Sequence, residues 1–371
     1  MEPLAPPDLP PDIILKILTW TSLKSIGRCR VVSKDWNLIT YDSSFMQEHY
    51  QKRTTISGFF MQTKSQTNLM PQFVSTNNLA TDSKLSLDFL PGPVRIEAAT
   101  KQGILVCVNY YPGNRPEILE HYVCKPSTQQ WCKIPNPETR SHVLGTGMVV
   151  LGSKPFRYKI VRFSTLSTNP STIKYRCRCE IFDSKTRAWK QLKDVILLPE
   201  GNFFRFASAM SVCGTLYWLL TNHNNNVLAF CVDTERWRVF ELPFPLCNRK
   251  YFWYRKLVDY RGRLAMLCMR SRTSDMQLWV MEDLETKAWS LRLTICIKQP
   301  LLPKDEPYYF PHAFVCSDVL LLMGAHTAVL YNFKSSTCVV RELLECEGGQ
   351  QTFPILSDLE LVGGMSDNFL T

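Results

Sequence analysis

The chain has 371 residues, 45% of them hydrophobic, and a formal net charge of +10. That is enough for one small and one large domain, and it is too apolar for a disordered chain. No run of eighteen apolar residues occurs, so no membrane-spanning helix is expected. The positive charges are dispersed without a long Lys/Arg tract, which reads as a basic solvated surface rather than a nucleic-acid footprint.

The opening MEPLAPPDLPP lacks the basic start and apolar centre of an export signal. Fourteen cysteines are scattered along the chain, and no Asn-x-Ser/Thr acceptor with a permitted middle residue occurs. Reduced, mostly buried thiols are therefore expected, with a cytoplasmic and/or nuclear location.

Residues 1–50 hold three short helical patterns. Pro11 and Asp12 suit a first turn, where a missing N–H costs nothing and a negative charge meets the positive end of the helix dipole. Ile13, Ile14, Ile17 and Leu18 then recur at helical spacing. Trp20, Thr21 and Ser22 interrupt this pattern, and Ser22 is placed to cap a second helix carrying Leu23 and Ile26. Val31, Val32, Trp36 and Ile39 mark a third, and Ser43 and Ser44 close the unit before Phe45. So small a unit cannot bury this much apolar surface by itself, so the surplus reads as a docking surface for another protein.

These residues resemble the F-box. Its pattern appears here as Leu9-Pro10, Ile13-Ile14 with Ile17-Leu18, Leu23-Lys24-Ser25-Ile26, and Val32-Ser33-Lys34-Asp35-Trp36. Trp20-Thr21 stands where the family has a Leu-Pro turn, and Ser33 where it has Cys. The resemblance implies binding to a Skp-type adaptor protein, and through it to a cullin–RING ligase. The adaptor-binding residues would be Leu9, Pro10, Ile13, Ile14, Ile17, Leu18, Leu23, Ile26, Val32 and Trp36.

The rest of the chain, residues 51–371, is a repeat with a period near fifty residues. A β-rich run ends in a Thr-x-x-Trp turn and a further short strand follows. The turns are Thr128 to Trp131, Thr186 to Trp189, Thr234 to Trp237 and Thr286 to Trp289, with a degenerate copy from Ser335 to Cys338. Asp183 and Asp283 stand three residues before two of these threonines. Earlier in each unit comes a turn and an apolar run: Gly103-Ile104-Leu105, Gly214-Thr215-Leu216, Gly262-Arg263-Leu264, and Asp318-Val319-Leu320 without the glycine. Glycine there supplies positive φ, and β-branched and aromatic runs favour strands.

Each Trp is expected to pack against a neighbouring unit, since one unit cannot stand alone and several around an axis bury one another's faces. This predicts an all-β propeller-like domain of about six blades behind a small all-α domain. Residues 54–97, with Ile56, Phe59, Phe60 and Met61, form a weaker unit. Residues 63–84 read as a long loop, and Ile355 to Val362 as a closing strand. The segment Leu87-Asp88-Phe89-Leu90, Gly103-Ile104-Leu105 and Lys125-Pro126-Ser127-Thr128-Gln129-Gln130-Trp131 resembles the opening of the kelch-like F-box-associated domain of plant F-box proteins. That domain would serve as the substrate-recognition domain.

Catalytic chemistry has little support in the residues. Cys177 and Cys179 share a strand face, but no second pair at zinc spacing follows. Neither a phosphate loop nor a nucleophile elbow is present, and the six histidines are isolated. No catalytic residue, metal or cofactor is expected.

The segment 249–256 interleaves basic and aromatic residues. As a partner-facing loop, it offers Arg249, Lys250, Tyr251, Trp253 and Arg255 as substrate-binding residues. As an ordinary strand, it would place Phe252 and Tyr254 on one face and Tyr251 and Trp253 on the other. The expected function is therefore that of a non-catalytic substrate receptor of a Skp–cullin–F-box ubiquitin ligase, capturing an unknown protein substrate. The alternatives are a non-proteolytic scaffold, and a propeller enzyme or carbohydrate-binding module.

Overall fold

A computed structural model describes residues 10–52, 55–63, 71–76, 85–109, 119–139, 142–153, 155–166, 176–193, 196–197, 203–204, 209–221, 226–248, 250–270, 275–296, 309–343, 350–363 and 365. Leu9 and Arg249 lie outside these residues.

The N-terminal unit has four helices, not three: α1 (Pro11–Thr19), α2 (Leu23–Val32), α3 (Lys34–Ile39) and α4 (Ser43–Lys52). Ser22 caps α2, its Oγ accepting from the Ser25 N–H at 3.3 Å, as the sequence predicts. Ser33 caps α3 in the same way, accepting from the Trp36 N–H at 3.3 Å. Helix α2 therefore ends at Val32, and Val31 and Val32 do not share a helix with Trp36. The fourth helix escapes sequence reading because Ser43 and Ser44 look like a terminus. Phe45 and Met46, buried just beyond them, give α4 its reason to fold.

Six antiparallel sheets follow among the described residues, arranged as the blades of a propeller. The first contains β3 (Val94–Ala99), β4 (Leu105–Asn109), β5 (His121–Lys125) and β6 (Gln130–Ile134). The second has β7 (Val143–Ser153), β8 (Phe156–Thr165), β9 (Arg176–Asp183) and β10 (Ala188–Gln191), with β11 (Ile196–Leu197) also paired to β9. In the third, β14 (Thr215–Thr221), β15 (Asn226–Cys231) and β16 (Arg236–Glu241) follow two short inner pieces, β12 (Phe203–Phe204) and β13 (Met210–Val212). The fourth runs β17 (Phe252–Tyr260), β18 (Arg263–Arg270), β19 (Met276–Asp283) and β20 (Ala288–Ile295). The fifth runs β21 (Phe310–Phe314), β22 (Val319–Met323), β23 (Thr327–Asn332) and β24 (Thr337–Glu342).

The sixth sheet joins the two ends of the domain. β1 (Ile56–Thr63) pairs with β2 (Gln72–Ser75) on one side and β25 (Gln350–Ser357) on the other, Ile56 opposite Ser357 through Thr63 opposite Gln350. The closing strand thus begins earlier than the sequence suggests and stops at Ser357. Residues 72–75 are a strand rather than part of a loop; residues 64–70 and 77–84 lie outside the described set.

One apolar core lies at each blade boundary. Alternate residues of a strand feed the two flanking cores. In β4, Leu105 and Cys107 face the sixth blade while Val106 faces the second. A strand buried on both faces reads as an unbroken apolar run, which is why the alternation of a half-exposed strand is missing here.

The Thr-x-x-Trp turns and their degenerate copy join the last two strands of the first five blades, and the residue after the Thr or Ser is left-handed every time. Gln129, Arg187, Glu235, Lys287 and Ser336 have φ between 53 and 55°. The aspartate ahead of the turn accepts main-chain N–H groups; Asp283 takes those of Glu285 and Thr286 at 2.9 and 3.3 Å. Trp131, Trp189, Trp237, Trp289 and Cys338 each pack into the core shared with the preceding blade.

Candidate functional site

The helical unit buries Leu18, Ile26, Phe45 and Met46 together with Cys316 of the fifth blade. Ile14, Trp36, Val319 and Leu356 pack around them. Leu18 and Ile26, both 2% exposed, are therefore core residues rather than contact residues, which corrects the expectation that they belong to the docking surface. The sequence cannot separate Ile17 from Leu18 because both lie within one broad apolar stripe.

Two further contacts seat the unit, from Ser317 and Lys334, and one from Arg30 braces it internally. The Ser317 N–H donates to the Tyr41 carbonyl at 2.8 Å. Arg30 bonds the Thr40 Oγ1 and carbonyl at 2.9 and 2.7 Å, and its guanidinium stacks 3.7 Å from the Tyr41 ring centre. Lys334 approaches Asp42 at 3.7 Å. Burial opposes ionisation of Asp42, but hydrogen bonds from Ser44 and the Lys334 ammonium outweigh it and hold the carboxyl below its usual range. The Cys316 thiol is pushed up by burial to about 12, so it serves as a packing group and not as a nucleophile.

The opposite side of the unit is uncovered. Ile13, Ile17 and Trp20, spaced along one face of α1, are 45%, 53% and 60% exposed. Val31 and Val32 at the end of α2, and Leu38 on α3, are also exposed, and so is Pro10. Ile14, Leu23 and Trp36 are half-buried. Sequence pattern alone misses Trp20, Val31 and Leu38 as surface residues, because it marks Trp20 only as a break in the helix. Its ring lies 5.5 Å from the Lys52 ammonium, and the carbonyl of the neighbouring Thr21 hydrogen-bonds His49 Nε2 at 2.9 Å. A folded segment that leaves these side chains in water has the character of a binding face.

A second exposed cluster lies at the far end of the propeller. Strand β17 runs toward the helices: its Asp259 pairs with Lys101, and the turn after it places Gly262 beside the Tyr41 hydroxyl. The start of β17 therefore lies at the other end, about 25 Å away at ~3.3 Å per residue. There Tyr251 and Trp253 are exposed, with Phe244 against Tyr251 and Phe310 against Trp253, at ring distances of 5.3 and 5.4 Å. Lys250 is exposed beside them.

Two sequence expectations fail in this cluster. Arg255 is buried and donates through Nη1 to the Leu246 carbonyl, so it fastens the loop before β17 and does not face a partner. A bulge at Trp253 breaks the alternation, because Phe252 opposes Arg270 while Tyr254 opposes Met269. Phe252 consequently packs toward the third blade and Tyr254 toward the fifth, on opposite faces. Phe244, absent from the sequence-derived set, is the most exposed ring of the group at 67%.

Among the described residues no group of three His, Cys, Asp or Glu side chains is placed to hold a metal ion. Cys177 and Cys179 lie in the core between the second and third blades, and burial raises both thiols, Cys177 to about 12.

A family described as "F-box associated beta propeller domain" matches residues 58–340, and one described as "F-box-like" matches residues 6–52. Among curated relatives from Arabidopsis thaliana, F-box protein At5g41720 is 35% identical over 158 residues, covering 41% of this chain and 84% of that protein. F-box protein At5g49610 is 28% identical over 312 residues, covering 78% and 80%. F-box/LRR-repeat/kelch-repeat protein At2g27520 is 25% identical over 295 residues, covering 78% and 76%. The helical unit, the six-bladed ring and these matches coincide along the chain: it belongs to the family of F-box proteins that carry an F-box-associated β-propeller domain.

Proposed function

We infer that this chain is a non-catalytic substrate receptor of a Skp–cullin–F-box ubiquitin ligase, working in the cytoplasm and/or nucleus. The observation that carries this reading is the two-sided helical unit. One side is spent on the propeller through Leu18, Ile26, Phe45 and Met46, while Ile13, Ile17 and Trp20 remain in water on the other. A Skp-type adaptor fits that free apolar side. The distal aromatic cluster of Phe244, Tyr251 and Trp253, with Lys250, is the proposed capture surface for a protein target. Tyr and Trp suit it because they supply large contact area at low conformational cost.

With the two surfaces at opposite ends, the chain would hold a target at a fixed distance from ligase subunits that carry the chemistry. Its contribution is effective concentration. The test is reconstitution of the full-length chain with purified adaptor, cullin and RING subunits, followed by measurement of target half-life in cells with and without the chain. A stable four-subunit complex and a shortened half-life are expected. Failure to bind the adaptor overturns the reading. Adaptor binding with unchanged half-life favours the scaffold alternative, for which Trp20-Thr21 and Ser33, the two departures from the F-box pattern, are the motivating observation.

A further inference from the structure

The inner strands of the propeller and the underside of the helical unit enclose a cavity of about 560 Å³, within the size range of small-molecule sites. Its walls are largely apolar, with Ile104, Leu321 and Phe353 among them. Polar groups converge at two levels. Deep in the channel, inner strands of three blades bring together Lys256, His312 and Thr352. The Lys256 ammonium lies 3.0 Å from His312 Nδ1 and 3.3 Å from Thr352 Oγ1, and these two lie 2.9 Å apart.

At the mouth, Arg30 comes from α2 and Arg261 from the turn between β17 and β18. The Arg261 guanidinium sits 5.2 Å from the Tyr260 ring centre, and its buried Nε makes no hydrogen bond among the described residues. That Nε has no accessible surface, so an occupant of the cavity would meet the guanidinium through its terminal nitrogens. Five cationic side chains line the cavity against three carboxylates. Two ion pairs cancel, Asp259 with Lys101 at 2.5 Å and Asp358 with Lys125 at 2.7 Å, leaving Arg30, Lys256 and Arg261 against Glu360. The two arginines at the mouth favour a compact anion there.

We propose that this cavity binds a small anionic molecule, a phosphate or carboxylate, between the helical unit and the propeller. The inference is independent of the ligase reading. Such a ligand, seated at the mouth, would touch Arg30 on one body and Arg261 on the other, so it would fasten the two together and stabilise the whole chain by mass action.

The experiment titrates the full-length chain with pyrophosphate and, separately, with citrate, against sodium chloride at matched ionic strength. Thermal midpoint and calorimetric affinity are read. At least one anion should raise the midpoint by several degrees over the chloride control, and which one does so distinguishes phosphate from carboxylate. Arg261→Gly removes the guanidinium while suiting a φ of 52°. It should weaken binding at least tenfold, as should Arg30→Met, while Lys250→Met at the far end should leave binding unchanged. If Arg30→Met does not fold, Arg261→Gly decides the outcome. No midpoint rise beyond chloride with either anion, or wild-type affinity in Arg261→Gly, overturns the proposal.

Discussion

The Gln62 side chain pairs with the main chain of Ile96: Nε2 donates to the Ile96 carbonyl at 2.8 Å and Oε1 accepts the Ile96 N–H at 2.9 Å. Gln62 lies on β1 of the closing blade and Ile96 at the bulge of β3 in the next, so one buried amide stands in for a strand neighbour across the ring closure. Replacing it by Leu leaves a buried N–H and C=O without partners. Gln62→Leu should destabilise the domain by about 2–4 kcal/mol, since each orphaned buried group costs roughly 1–3 kcal/mol. Chemical denaturation measures it, and a loss below about 0.5 kcal/mol would contradict the role given to Gln62.

Ile17 and Leu18 are neighbours with opposite environments. Ile17→Lys should leave the far-UV spectrum and thermal midpoint unchanged and weaken binding to a Skp-type adaptor by about 2–4 kcal/mol, the range of an interface hot spot. Leu18→Ala should do the reverse, lowering stability by about 2–5 kcal/mol through a cavity in the helical core. Calorimetric titration with purified adaptor, beside thermal melts of the free chain, separates the two. Undiminished affinity in Ile17→Lys removes α1 from the interface.

The turn residue Lys287, with φ of 55°, bears the cost of a side chain in left-handed backbone. Lys287→Gly should be neutral or raise stability by up to about 1 kcal/mol. Lys287→Val, β-branched, should lower it. Equal melting curves for both variants would show that the repeated turn carries no strain at this copy.

Acid should loosen the boundary between the first two blades. Burial opposes ionisation of Glu97, but Arg95 at 3.0 Å, His121 and the Thr146 hydroxyl at 2.8 Å outweigh it and hold the carboxyl below its ordinary value near 4.5. Its stabilising contribution is present above that pH and is lost as pH falls through the folded value. Burial also depresses His121 below its ordinary 6.5, against the opposing pull of Glu97. The unfolded chain therefore takes up that proton first, and stability begins to fall below pH 6.5. The thermal midpoint should decline in two stages, and His121→Asn should flatten the upper one. A midpoint that is level from pH 7 to 4 would refute both assignments.

Trp253→Ala should abolish target capture while leaving adaptor affinity intact, because the ring lies at the end of the propeller remote from α1. Affinity capture under proteasome inhibition, comparing the variant with the intact chain, reads this directly. An unchanged set of captured proteins would place the capture surface elsewhere.

The repeat was legible because its signals are local. A Thr followed by a left-handed residue and then an aromatic marks four blades, a glycine with positive φ before an apolar run marks three, and Ser22 caps its helix within four residues. The fourth helix was not legible, since its buried Phe45 and Met46 have meaning only against Leu18, Ile26 and the fifth blade. The bulge at Trp253, which separated Phe252 from Tyr254, depends on pairing with β18 and leaves no mark in the order of residues.

The sequence by itself determined the helical opening and the blade-like repeat with its five turns, all products of short-range spacing and turn chemistry, while the sixth blade is settled only by the pairing of β1 with β25. The tertiary structure alone decided which apolar residues of the opening remain in water, which end of the propeller carries the aromatic cluster, and that Arg255 is a fastener. Burial belongs to two surfaces at once, and here the partners lie far apart in the chain, as Gln62 and Gln351 do when their side chains meet at 2.9 Å to close the ring.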